Sequence, residues 1–145
     1  MKNASVILLS LLVVFLSFTT HASSVTKQLE IQHSEFEVPL VFNVVLPSGY
    51  QQETSRSYPV LFDFHPHANT YLRGMHDWMS HNGEWPWLKT IVVTPAQGNP
   101  VGKLFDSSGE TAPLLDFFEQ KLFTELDNTY RTNGFRIMSG FRHNG

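Results

Sequence analysis

Cysteine is absent from all 145 residues. Its absence excludes disulfide cross-links, thiolate metal ligands, a thiol nucleophile and a lipid-modified cysteine behind a leader, so stability has to come from an ordinary buried core. Charge is sparse as well, at 16% of residues with a formal net charge of −3. The 10 Lys and Arg residues are scattered, which excludes the phosphate-tracking stripe of a nucleic-acid binder. No apolar run reaches the roughly 20 residues that cross a bilayer, and there is no internal repeat or low-complexity segment. The longest run, Val6 to Phe18, is interrupted by Ser10 and Ser17. Lys2 precedes it and Thr20-His21-Ala22 follows, which is the pattern of a secretory signal peptide. Residues 1–22 are therefore expected to be removed, leaving a mature chain from Ser23 that is exported, periplasmic or secreted, and free of the membrane.

What is present is the pattern of a single globular unit over 23–145. Lys27 to His33 alternates, with Leu29 and Ile31 set against Gln28, Glu30 and Gln32, the period of a half-buried strand. Phe36 to Leu46 reads as a second strand with Val38, Leu40, Phe42 and Val44 on one face, and Pro39 suits an edge or bulge. Pro47-Ser48-Gly49-Tyr50 is turn chemistry. Val60 to Phe64 and Thr90 to Thr94 lack alternation, as strands buried on both faces do. Thr70 to Ser80 fits a helix. Pro113 to Tyr130 fits a longer one, with Leu115, Phe118, Leu122 and Leu126 on its apolar face, Thr111 as a cap and Asn133-Gly134 as its end. Phe135 to Met138 begins a further strand. An antiparallel strand start leading into a mostly parallel sheet with flanking helices is an α/β fold.

Several segments carry a resemblance in order along the chain: Val45-Leu46-Pro47-Ser48-Gly49-Tyr50, Ser57-Tyr58-Pro59-Val60-Leu61-Phe62, Tyr130-Arg131, and Arg136-Ile137-Met138-Ser139-Gly140-Phe141. Together they resemble the esterase family of α/β-hydrolases that includes enterochelin esterases, S-formylglutathione hydrolases and feruloyl or acetyl esterases. The resemblance implies the N-terminal half of an α/β-hydrolase fold, acting on a small-molecule ester and ending at a nucleophile elbow. In that motif, G-x-S-x-G, small residues flank a serine on a strained strand-to-helix turn. It also implies oxyanion-hole backbone donors at His67 or Ala68, after the third strand, and at His143, after the nucleophile. His65 and Gln97 are candidate cleft residues, because loops at the carboxyl edge of an open α/β sheet hold ligands.

The departures are specific. Arg142 stands at the nucleophile position, and a guanidinium stays protonated with no available lone pair. Asn144 replaces a small glycine, and Pro66 has no N–H to donate. In such enzymes the acid and the histidine follow the nucleophile, so none of Asp63, Asp106, Asp116 or Asp127 is carried over. The chain thus reads as a fragment, inactive as given; the alternative is a hydrolase-derived protein that binds a small or anionic ligand without chemistry. A carboxylate at Asp63, inside an apolar run, should find a donor or sit at the strand's end. Trp78, Trp85 and Trp87 serve either as a ligand platform or as packing. His65, His67, His76 and His81 suggest a rival, zinc-like chemistry, but their spacing matches no zinc motif, and neither metal nor cofactor is expected.

Overall fold

The computed structural model describes residues 23–34, 36–64, 70–75, 78, 89–101 and 112–139. The expected signal peptide at 1–22 and the cap at Thr111 lie outside them.

Five strands form one mixed sheet: β1 (Val25–Ile31), β2 (Leu40–Leu46), β3 (Tyr58–Asp63), β4 (Ile91–Pro95) and β5 (Thr132–Ser139). Their order is β1-β2-β4-β3-β5. β1 runs antiparallel to β2, with Leu29 opposite Phe42, and β2 runs antiparallel to β4. β4, β3 and β5 are mutually parallel. β2 is shorter than the sequence suggests: it begins after Pro39, whose missing N–H cannot join a ladder, and Val38 is 58% exposed before it rather than on its buried face.

The period-2 pattern divides the apolar residues between two faces. On one face Leu40, Phe42, Val44, Val60, Phe62, Ile91 and Val93 form the main core with Phe117, Phe118, Leu122 and Leu126. On the other, Val45 and Val92 pack with Leu61, Leu72 and Met75, the last two from a helical turn over residues 70–75.

The long helix consists of α1 (Ala112–Phe117), a π-helical stretch at Phe118–Leu122 and α2 (Phe123–Thr129). Phe117-Phe118 and Leu122-Phe123 are apolar pairs five residues apart. A regular 3.6-residue period would turn the second pair away from the first, whereas the i→i+5 pattern of a π-helix returns both to the sheet. Leu114 and Phe117 are buried in consequence, while Leu115, expected on the apolar face, is 47% exposed. Phe118 meets Phe62 edge-on at 5.7 Å and Phe64 at 5.4 Å, a favoured aromatic geometry. The helix ends at Thr129, and Asn133-Gly134 falls inside β5 instead of closing it.

The amino edge of the parallel strands is tied by one polar cluster. Gly49, at φ +78°, turns the chain after β2, and a Cβ there would come within 2.8 Å of the Glu53 carboxylate. The Arg131 guanidinium lies 3.9 Å from the centre of the Tyr50 ring. Its Nη2 donates to the Tyr50 carbonyl and its Nε to the Arg56 carbonyl at 3.1 Å. The backbone N–H of Arg131 donates to the Tyr50 hydroxyl at 2.9 Å, and that of Tyr58 donates to the Arg131 carbonyl at 2.9 Å. Beside it, the Glu53 carboxylate accepts from Lys89, Arg56 and the Tyr58 hydroxyl. The hydrogen bond from Lys89, with Arg56 adding to it and burial opposing, holds the Glu53 carboxyl below its ordinary range. Burial, with the neighbouring Glu53 charge, pushes the Tyr58 hydroxyl up.

Two outcomes are expected. Arg131→Met loses two hydrogen bonds and a cation–π contact and should lower unfolding stability by about 2–3 kcal/mol in urea titration, with Arg131→Lys recovering less than half. Because Glu53 titrates lower in the folded chain than in the unfolded one, its contribution is present above the unfolded value of about 4.3 and is lost as pH falls through the folded one. Glu53→Gln should therefore be less stable than wild type by no more than about 1 kcal/mol near neutral pH, this side chain being partly solvated. The two urea midpoints should converge as pH drops below about 4.

Candidate functional site

Open α/β sheets bind ligands at the carboxyl ends of their parallel strands. Here that edge is formed by Asp63 of β3, Pro95 of β4 and Ser139 of β5. β3 and β5 are neighbours, with Asp63 opposite Ser139 in the register. The Ser139 hydroxyl donates to Asp63 Oδ2 at 3.1 Å. Asp63 thus satisfies both conditions expected of it, a donor and a strand end. Ser139 was legible in the sequence only as a small residue before a turn; the signal that could have marked it is a hydroxyl closing an apolar run, at the same height as the carboxylate that closes another.

Beneath this pair the edge is solid. Phe42, Phe62, Phe64, Val93, Pro95 and Phe118 close on one another and leave no room for a water molecule. The lining of this gap is apolar apart from Asp63 itself.

Gln97 is exposed in the loop that follows β4. It lines a groove of about 390 Å³ with Gln28, Glu30, Pro39 and Asn99, a size within the range of small-ligand sites. This groove lies on the β1–β2 side, and Asp63 and Ser139 do not line it. The loop leans that way because Asn99 Nδ2 donates to the Val41 carbonyl of β2 while Asn99 Oδ1 accepts from the Val101 N–H at 3.0 Å. Gly98, at φ +79°, permits the turn. The anchoring role of Asn99 depends on a partner 58 positions away, which no local pattern reveals.

His65, His67, Ala68, Arg142 and His143 lie outside the described residues, as do His76, His81, Trp85 and Trp87. Trp78 is 63% exposed. Among the described residues no group of three or more His, Asp or Glu side chains could hold a metal ion, and no helix is long and apolar enough to cross a membrane.

No protein-family model matches the sequence, and no curated protein matches it. Solved structures do. A ferulic acid esterase superposes with a TM-score of 0.61 at 20% identity, over 81% of this chain and 50% of its own. An IroE-like serine hydrolase from Shewanella oneidensis gives 0.62 at 20% identity, over 79% and 42%. An S-formylglutathione hydrolase from Agrobacterium tumefaciens gives 0.54 at 16% identity, over 86% and 51%. The sheet is therefore that of an α/β-hydrolase in part, and the chain spans about half the length of the structures it matches.

Asn99→Ala removes the two side-chain hydrogen bonds of the loop, leaving the one from the Ala96 N–H to the Val41 carbonyl, and should cost about 1–2 kcal/mol. Amide exchange at Val101 should rise at least tenfold, measured by hydrogen exchange and mass spectrometry.

Proposed function

We propose that this chain is the first half of an exported α/β-hydrolase whose complete form cleaves carboxylic esters, and that as it stands it cannot turn over. The single observation that carries the reading is the adjacency of β3 and β5, parallel and ending level at Asp63 and Ser139. In this class of enzyme a strand-end N–H and the residue after the nucleophile together form the oxyanion hole, so the segments that follow these two strands have to leave the sheet side by side. The segments that follow them here are 65–68 and 140–144.

The matched structures support esters as the substrate class, being a ferulic acid esterase and an S-formylglutathione hydrolase among others. They also support the fragment reading, since each is about twice as long as the part this chain spans. In the complete enzyme a serine hydroxyl attacks the ester carbonyl and passes its proton to a histidine. The alcohol departs with that proton, and water then releases the acyl group. Arg142 can perform none of this, because its guanidinium has no lone pair to attack with. Export rests on residues 1–22 alone.

The chain as given should hydrolyse p-nitrophenyl acetate no faster than buffer, and turnover or a stable acyl adduct would overturn the assignment of Arg142. Sequencing the coding DNA through codon 142 and past codon 145 tests the fragment reading at the same time: an in-frame continuation into further strand-helix units supports it, and a verified stop codon sinks it.

A further inference from the structure

We infer that a bulge at Asn133-Gly134, sited opposite Pro59, is the positioning device of the reaction edge: it draws two extra residues into β5 so that Ser139 ends level with Asp63. The inference rests on the reading that β5 delivers the nucleophile turn.

Tyr58 lies opposite Thr132, but Val60 lies opposite Arg136, and from there the register is regular through Leu61–Ile137 and Phe62–Met138 to Asp63–Ser139. Two steps along β3 thus correspond to four along β5. The break falls where β3 carries Pro59, which has no N–H to offer the ladder. On β5 the slack is taken up by Gly134 at φ +82° and by Asn133, whose Oδ1 accepts the Phe135 N–H at 3.0 Å. A positive φ of this kind is open to glycine and tolerated by asparagine, and costly for a β-branched residue.

Both ends of the segment are held. Below the bulge Arg131 is bound to Tyr50 and Arg56. Above it Ser139 donates to Asp63. With the lower anchor kept and the bulge straightened, Ile137 would come opposite Asp63, and Ser139 would move two residues past the sheet, about 6–7 Å. A slip of two leaves every side chain on its original face, but it would put Phe135 in place of Ile137 opposite Leu61 and draw Arg136 away from Asp127 and the Phe123 ring, so those contacts favour the observed height. Height matters at a reacting edge, since misplacement of about 1 Å can cost two orders of magnitude in rate. Gly134 is suited to the test because a Cβ there meets nothing within 4 Å, so a substitution acts through backbone conformation and not through a clash.

The cysteine-free chain allows the register to be read directly by disulfide trapping between neighbouring strands. Leu61→Cys with Ile137→Cys should oxidise at least tenfold faster than Leu61→Cys with Phe135→Cys. Adding Gly134→Val should erode that preference at least tenfold, and Gly134→Asn should retain it. Equal trapping of the two pairs, or a preference untouched by Gly134→Val, would overturn the inference. If Gly134→Val does not fold, the milder Gly134→Ala, equally costly in sign at φ +82°, decides: a weakened 61/137 preference supports the inference, and an unchanged one overturns it. Trapping needs no ester chemistry, so its outcome is separate from that of the p-nitrophenyl acetate assay.

Discussion

Arg131 lying on the ring of Tyr50 is the contact on which the rest of this sheet depends. It joins the turn after β2 to the start of β5, and its carbonyl receives the first N–H of β3. Three segments far apart in sequence are thereby held at one edge of the parallel strands. Parallel strands need long crossovers, and closing those loops costs entropy that the ladder repays only after it forms. A bidentate, stacked guanidinium is well matched to that task, because its planar fork holds two carbonyls and a ring at once. Glu53 extends the same edge to Lys89, just ahead of β4.

The residues that make this contact are also those that carry the esterase resemblance. Gly49, Tyr50, Tyr58 and Arg131 all fall in the segments that look like the family, and the structure gathers them at the amino edge, at the other end of the strands from Asp63 and Ser139. The resemblance is thus chiefly a signature of how the sheet is tied together. It is consistent with this that solved hydrolases match the fold at 20% identity or less.

Much of the architecture was legible from period alone. Leu29 and Ile31 face inward as their alternation requires, and the unbroken apolar runs proved to be the inner strands β3 and β4. The errors came where local pattern and packing disagree. Leu115 fits a 3.6-residue stripe yet is exposed, because two apolar pairs five residues apart pull the helix into a π-helical stretch. Asn133-Gly134 has the chemistry of a helix end and serves instead within a strand, because Pro59 on the neighbouring strand leaves a place for a bulge. At the site, a donor or strand end was foreseeable for Asp63, but Ser139 as its partner was not, since nothing local links positions 76 residues apart.

The sequence by itself determined the composition-level facts and the grammar of the elements: no thiol chemistry, an apolar period that selects strand or helix, and turns where glycine and proline allow them. These follow from single residues and their near neighbours, for which covalent geometry and side-chain chemistry suffice. Only the tertiary structure decided the strand order, the π-helical stretch, the anchoring of the Gln97 loop on β2 and the height at which β5 ends beside β3. Each of these balances contacts between distant segments, and register between strands is a property of the pair that neither strand carries alone.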